Sequence, residues 1–152
     1  MPKLDIAKAQ VRSGSGYPEQ FKKSVEGREK TILGDLAGLT QFGVNRTRLP
    51  PGVASSLRHW HEQEDEFIYV LEGELTLVED GGETLLKPRE AAGWKAGVAN
   101  GHMLVNKSSR DAIYLEIGTR SPREHSHYPD YDLLYTRDEN GIRVTHRNGE
   151  PY

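Results

Sequence analysis

The feature that most constrains the fold of this chain is a pair of histidines, His59 and His61, separated by one residue. In a β-strand, side chains alternate between the two faces, so residues i and i+2 project the same way. A strand would therefore aim both imidazoles at one point, and a second strand could bring Glu66 to that point. Two converging imidazoles and a carboxylate form a transition-metal site of the kind that holds Fe, Mn, Ni, Cu or Zn.

The residues that flank these histidines have a recognisable spacing. Gly52, His59, His61, Glu66 and Gly73 follow the pattern G-x6-H-x-H-x4-E-x6-G. This pattern resembles the first conserved motif of the cupin superfamily, in which five residues usually separate the first glycine from the first histidine. The resemblance implies that the two histidines and the glutamate are ligands of one divalent metal ion.

A later stretch, from Pro88 to Asn106, resembles the second cupin motif and ends in His102-x3-Asn106. Lys95 stands where the family usually has a proline, and the histidine comes five residues after Gly97 instead of three. The resemblance covers about residues 40–120 and implies that His102 is the third histidine ligand. It also implies an all-β, single-domain fold, the double-stranded β-helix or jelly-roll barrel of the cupins.

The rest of the sequence agrees with a β fold. Sixteen glycines and eight prolines separate short apolar runs, which favours a sandwich or barrel over alternating strands and helices. We expect an N-terminal arm over residues 1–30, a cupin barrel over 31–120 and a C-terminal extension over 121–152. The extension should contain a hairpin and pack on the barrel or on a partner subunit.

Three local elements are also predicted. Residues 21–28 are expected to form a short helix, although Phe21 and Val25 are their only large apolar side chains. Residues 53–61 are expected to form the strand that carries the two histidines. His125 and His127 repeat the ligand spacing beside prolines, which favours a surface loop.

Composition excludes several classes of partner and cofactor. The formal net charge is −3 and the sequence has no basic helix or arm, so there is no electrostatic reason to expect nucleic acid. The absence of cysteine excludes disulfides and thiolate ligands. No apolar stretch approaches the length of a membrane span or a secretory signal, so we expect a cytoplasmic protein with no membrane partner.

Four protein ligands on a metal that prefers six leave two positions for water or substrate, as a Lewis acid or an oxygen-activating site requires. Glu62, Glu64 and Asp65 are interpreted as a solvated acidic bend, and Glu64 is the best candidate among them for a general base. Glu116 is interpreted as supporting the ligands, lying at the rim or forming a salt bridge. Arg46 and Arg48 alternate along a strand, and they would bind a substrate carboxylate or form surface ion pairs.

Strand alternation also predicts the lining of the pocket. If Glu66 points inward, Ile68 and Val70 do so too, while Phe67 and Tyr69 face outward. The pocket should then be mostly apolar and suited to a small aromatic or aliphatic acid. The outward apolar side chains favour a second layer, which we expect to be the other subunit of a homodimer.

Three functions remain open from the sequence. The first is a metalloenzyme that acts on a small organic molecule, because the resemblance permits dioxygenases, isomerases, decarboxylases and lyases. The second is a cupin that binds or senses a small molecule without catalysis. The third is a metal-free protein that retains only the fold. Fold alone does not choose among them.

Overall fold

The computed structural model describes residues 3–152, which are mainly β-strands. Their thirteen strands are β1 (Val11–Ser13), β2 (Glu29–Ile32), β3 (Phe42–Leu49), β4 (Trp60–His61), β5 (Glu66–Glu72), β6 (Leu75–Glu79), β7 (Gly82–Leu86), β8 (Ala91–Trp94), β9 (Met103–Val105), β10 (Ala112–Thr119), β11 (Glu124–His127), β12 (Leu134–Asp138) and β13 (Gly141–Thr145). The helices are short: α1 (Leu33–Leu36) and two 3-10 segments, Ile6–Lys8 and Glu19–Val25. Among the described residues, no helix is long and apolar enough to cross a membrane.

The strands form three antiparallel sheets. The largest has the order β1-β2-β3-β10-β5-β8, and a smaller one has the order β7-β6-β9. The third sheet has the order β13-β12-β11-β4, so the C-terminal strands pair directly with the strand that carries His61. The N-terminal strands β1 and β2 extend the largest sheet through β3.

The register of the largest sheet brings residues from distant parts of the chain into rows on one face. Glu66 pairs with Trp94 on one side and with Gly118 on the other. One step along, Ile68 is opposite Glu116, and Glu116 is opposite Asn45. Because paired residues share a face of the sheet, these side chains project into the same interior.

Two apolar clusters stabilise the molecule. The larger fills the barrel with buried side chains of Leu49, Ile68, Val70, Leu75, Leu77, Leu86, Leu104, Ala112 and Tyr114. The smaller joins the two ends of the chain, because Leu57, Tyr128 and Leu133 pack with Tyr17 and Phe21 of the N-terminal segment. The burial of Ile68 and Val70 agrees with the alternation expected from Glu66.

The predicted strand over residues 53–61 is wrong except at its end. Only Trp60 and His61 belong to a strand, and His59 makes an isolated bridge with His102. The preceding backbone makes isolated contacts instead of a continuous ladder: Ala54 donates to the Ser24 carbonyl and forms an isolated bridge with Val105, and Ser55 donates to the Leu104 carbonyl of β9.

Two further expectations change in the structure. The predicted helix at residues 21–28 is a 3-10 segment that ends at Val25, and its Val25 side chain is buried. His125 and His127 lie on β11, not in a loop, because this segment pairs with both β4 and β12.

Gly73 shows why the first motif ends in glycine. Its φ is +73°, and a Cβ added there would lie 2.5 Å from the Asp111 carbonyl oxygen. Both the left-handed backbone and the close approach exclude a side chain at this turn.

Candidate metal centre

The four predicted ligands come from three places in the fold and meet at one. His61 lies on β4, Glu66 begins β5, and His59 and His102 face each other across an isolated bridge. The backbone amides of His59 and His102 each donate to the other's carbonyl, at 3.1 and 2.9 Å. This paired backbone fixes the two imidazoles side by side.

The predicted ligand atoms of the three histidines lie around the Glu66 carboxylate. The Nε2 atoms of His59 and His61 are 3.0 Å apart. The Glu66 carboxylate lies 3.4 Å from Nε2 of His61 and 3.8 Å from Nε2 of His59. Nε2 of His102 lies 2.5 Å from the same carboxylate. The donor atoms of His59, His61 and Glu66 therefore all lie within 4.8 Å of one another, and His102 contacts this group through the Glu66 carboxylate.

The opposite nitrogen of each ring has its own partner. Nδ1 of His59 lies 2.9 Å from the Leu57 carbonyl, and Nδ1 of His102 lies 3.1 Å from the Asn100 carbonyl. A carbonyl only accepts, so both rings donate from Nδ1 and present the lone pair of Nε2 to the centre. This is the second layer of contacts that orients histidine ligands of metals. The donor set therefore fits a divalent transition metal.

Aromatic stacking holds two of the rings. The Trp94 ring stacks on His102 with centroids 3.9 Å apart and an interplanar angle of 6°. The Tyr128 ring stacks on His59 with centroids 5.7 Å apart. The Trp94 ring therefore packs on a predicted ligand.

The support behind His61 was missed by sequence reasoning. Ser126 Oγ lies 3.1 Å from Nδ1 of His61, and the buried Glu124 carboxylate lies 3.6 Å from it. Glu124 also accepts the backbone N–H groups of Glu62 and Gln63, at 2.8 and 3.0 Å. The sequence signal was strand alternation in β11. His125 and His127 have the ligand spacing, but Glu124 and Ser126, on the opposite face of the strand, point to the site.

The environment of the cluster strongly shifts the pKa values of its ionisable groups. Burial lowers the pKa of His59 to about 4. Burial opposes the charge of His61 as well, but hydrogen bonds to Glu124 and Glu66 outweigh it and raise the His61 pKa to about 10. Glu66 has a pKa well below its usual range because His102 and His61 overcome the effect of burial. The carboxylates around the imidazoles therefore favour the binding of a cation at this point.

The cluster lines a cavity of about 440 Å³. Beside Glu66, the next two strands of the sheet carry Gly118 and Gly43, which also line the cavity. The wall is more charged than the predicted apolar lining. It includes the charged residues Arg12, Arg28, Lys30, Asp35, Glu64, Glu66, Glu116, Arg120 and Arg137. The apolar prediction used only the strands of the ligands, whereas strands β1, β2 and β10 contribute Arg12, Lys30 and Glu116, and other segments contribute the rest.

Two further carboxylates of the wall are each held by a cation. Glu116 accepts hydrogen bonds from Lys30 Nζ at 2.6 Å and from the Asn45 amide at 2.8 Å. Burial opposes its charge, but Lys30 and Asn45 lower its pKa, so the group is ionised at neutral pH. Glu64, the base expected from the sequence, is ion-paired with Arg137 and lies 3.9 Å from Nδ1 of His61, behind the ring.

Other sequence candidates lie elsewhere. His125 is exposed, and Nε2 of His127 lies 2.6 Å from the Glu62 carboxylate, so neither joins the cluster. Arg48 forms ion pairs with Glu29 and Asp111, and Arg46 is exposed on the outer face of β3. Neither arginine lines the cavity.

Similarity to known proteins agrees with this architecture. The cupin domain family model matches residues 45–129. A crystal structure of a sugar phosphate isomerase of the cupin superfamily from Silicibacter pomeroyi DSS-3 is 44% identical, with a TM-score of 0.95, and the match covers 99% of this chain and 96% of that chain. The comparison with curated proteins found no match.

Two more distant structures share the fold. A protein from Acidithiobacillus ferrooxidans ATCC 23270 is 22% identical, with a TM-score of 0.82, over 100% of this chain and 94% of that chain. A predicted oxalate decarboxylase from Thermotoga maritima is 21% identical, with a TM-score of 0.61, over 78% of this chain and 98% of that chain. The family match spans His59, His61, Glu66 and His102. The chain belongs to the cupin family.

Proposed function

We propose that this protein is a divalent-metal-dependent isomerase that interconverts an aldose phosphate and a ketose phosphate. The observation that carries the proposal is the 44% identity, over 99% of the chain, to a cupin whose name is sugar phosphate isomerase. The ligand cluster and the charged cavity beside it support the same class of reaction, because an aldose–ketose conversion needs polarised oxygens and a proton carrier but no redox cofactor.

The metal would be held by His59, His61, Glu66 and His102. When bound, a divalent ion supplies a Lewis acid that polarises the carbonyl and hydroxyl oxygens of the sugar. The ligand set does not distinguish Fe, Mn, Ni, Cu and Zn, because imidazole and carboxylate suit all of them.

Glu116 is the residue that we assign to proton transfer. Its carboxylate takes the proton from the carbon beside the carbonyl and returns it to the former carbonyl carbon, while a hydroxyl proton moves between the two oxygens. The reaction is therefore balanced without an oxidant or reductant. Lys30 and Asn45 hold the carboxylate in the cavity, one row along the sheet from Glu66.

Glu116 is preferred to Glu64 because of where the two carboxylates lie. Glu64 lies behind His61, on the Nδ1 side, where Arg137 and the Ser121 backbone amide donate to it. Glu116 shares the inner face of the sheet with Ile68 and Glu66, on the side of the ligand atoms. A substrate next to the metal would therefore meet Glu116 first.

A direct experiment tests this function. The purified protein is analysed for metals, stripped, and reloaded in turn with each of the five candidate metals. It is then incubated with a panel of aldose and ketose phosphates in deuterated water. We expect interconversion of one pair, with deuterium exchange at the carbon that receives the proton. Fully loaded protein that converts no sugar phosphate would contradict the proposal.

A second candidate is a metal-containing cupin that binds a phosphorylated sugar without converting it. The observation in its favour is that Glu116 and Glu64 are both engaged in ion pairs, with Lys30 and Arg137. Saturable binding in the same panel without product or deuterium exchange would select this function.

A homodimer is part of the same proposal. Phe67 and Leu71 are 44% and 38% exposed on the outer face of β5, where a second subunit would cover them. Light scattering during size-exclusion chromatography tests it, and a monomer at working concentration would contradict it.

A further inference from the structure

The charges of the cavity wall do not cancel. Three of its cations are paired with carboxylates of the same wall: Lys30 with Glu116, Arg120 with Asp35, and Arg137 with Glu64. Glu66 faces the imidazoles. Within residues 3–152, the other two arginines of the wall, Arg12 and Arg28, have no carboxylate within 4.0 Å. Two guanidinium charges therefore remain uncompensated.

These two arginines are positioned by the N-terminal hairpin. Arg12 on β1 is directly opposite Lys30 on β2, and Arg28 lies two residues before Lys30, on the same face. Arg28 donates to the backbone carbonyls of Ser55 and Gly14. Arg12 donates only to the side chain of Gln10, at 3.3 Å. Each guanidinium carries five N–H donors, so both retain donors for a ligand.

We propose that Arg12 and Arg28 form the subsite that binds the phosphate group of the substrate. This inference rests on the proposed function and deepens it. A phosphate monoester carries a charge of about −1.5 to −2 and three strong acceptor oxygens, and a guanidinium matches its geometry with two parallel hydrogen bonds. Two uncompensated arginines on one cavity wall supply this charge.

The position of the subsite fits the chemistry. From Glu66, the sheet runs through β10 and β3 to β2 and β1, so β10 and β3 separate β1 and β2 from β5. Arg28 also donates to the Ser55 carbonyl, and the neighbouring Ser56 Oγ lies 3.3 Å from Nδ1 of His59, on the side of that ring away from its Nε2 atom. Neighbouring strands are about 4.8 Å apart, which places β2 roughly 14 Å from β5 along the curved sheet. Glu116 on β10 lies between the two ends. A sugar phosphate bound in this way presents its carbonyl end to the metal.

Binding of inorganic phosphate to the metal-loaded protein, measured by calorimetry, tests the subsite directly. The variants are Arg12→Gln, Arg28→Lys and the double variant Arg12→Gln/Arg28→Gln. We expect about tenfold weaker binding in Arg12→Gln and at least a further tenfold in the double variant, because hydrogen bonds to charged groups contribute at about this level. Arg46→Gln, an exposed arginine outside the cavity, is the matched control and should change the dissociation constant less than twofold.

Two controls keep the result interpretable. Arg28→Lys retains the charge but loses the two parallel hydrogen bonds of the guanidinium, so it should bind phosphate more weakly than wild type and more tightly than Arg12→Gln/Arg28→Gln. The metal-free variant His59→Ala/His61→Ala should bind phosphate within about threefold of wild type, because the subsite is separate from the ligands. Phosphate binding that disappears in this variant but survives in folded Arg12→Gln/Arg28→Gln would overturn the inference.

Kinetics separate the subsite from the proposed function. In Arg12→Gln, the KM for the sugar phosphate should rise about tenfold with little change in kcat, and turnover of the unphosphorylated sugar should be unchanged. Active protein whose KM ignores both arginines would reject the subsite and leave the isomerase intact. Arginine-dependent phosphate binding without isomerase activity would reject the isomerase and leave the subsite.

Discussion

The two ends of the cavity are built for opposite charges. At one end, three imidazoles and Glu66 converge with Glu124 and Ser126 behind His61, an arrangement that demands a cation. At the other end, Arg12 and Arg28 present guanidinium groups without carboxylate partners, an arrangement that demands an anion. A ligand with metal-binding oxygens at one end and a phosphate group at the other matches both ends of the cavity.

The two ends also differ in origin. The cation end uses the cupin motifs, but its support comes from β11 in the C-terminal segment. The anion end comes from the N-terminal hairpin of β1 and β2. The C-terminal segment therefore orients the predicted ligand His61, and the N-terminal segment adds the positive charge of the two arginines.

Removing the cation end should have the largest effect. In His59→Ala/His61→Ala, we expect metal content to fall from about one equivalent to below about a tenth, because only two protein ligands remain. Isomerase activity should fall to background. Metal analysis by mass spectrometry and turnover of the sugar phosphate are the readouts.

The matched control is His125→Ala, which changes an exposed histidine of the same His-x-His spacing and should keep both metal and activity. Full metal occupancy in the double variant would show that the ion is held elsewhere.

Glu116→Gln should impair catalysis without changing ligand binding at either end of the cavity. The amide cannot accept a proton from carbon, so kcat should fall about 10²–10⁴-fold, while metal content and inorganic phosphate binding stay near wild type. Glu72→Gln, an exposed position on the neighbouring strand β5, is the control. If Glu64→Gln abolishes turnover and Glu116→Gln does not, proton transfer belongs to Glu64.

Glu124→Gln should weaken the cation end alone. Loss of the carboxylate behind a ligand histidine costs about 10–100-fold in metal affinity, so competition with a chelator should reveal a weaker site. Phosphate binding at the arginines should not change. Glu139→Gln, which lies in the same C-terminal segment but is exposed, provides the baseline. Equal metal affinity in the two variants would remove Glu124 from the support of His61.

The smallest expected effect concerns the packing of the N-terminal segment on the C-terminal one. Phe21 makes edge-on contacts with Tyr131 and Tyr152, at centroid distances of 5.3 and 5.6 Å. Because Phe21 is half-buried, Phe21→Ala should cost about 1–3 kcal/mol in the free energy of unfolding. Urea denaturation measures it, with Ile142→Ala, 63% exposed, as the control. Equal stabilities would indicate that the two segments do not support each other.

Candidate site residues could be chosen from the sequence where ligand chemistry and strand periodicity agree. His59, His61 and Glu66 could be chosen because alternation on strands and the motif spacing agree, and His102 followed from the second motif. The cupin fold was confirmed by the family match. These residues are local to two motifs, so their proximity could be inferred without knowledge of the strand order.

The remainder of the site depends on pairing between distant segments. Glu124 reaches His61 only because β11 pairs with β4. Arg12 and Lys30 enter the cavity only because β1 and β2 extend the sheet beyond β3. No local sequence pattern predicts these strand pairings. The pocket lining expected from the ligand strands alone therefore omitted the charged residues of the wall.

The most direct measurement is a crystal structure of the metal-loaded protein soaked with a sugar phosphate, with anomalous data collected at the absorption edge of the metal. The two-ended cavity predicts one anomalous peak among His59, His61, Glu66 and His102, and a phosphate group on the Arg12 and Arg28 side. A metal outside the four ligands, or a phosphate bound on the metal with both arginines untouched, would contradict it.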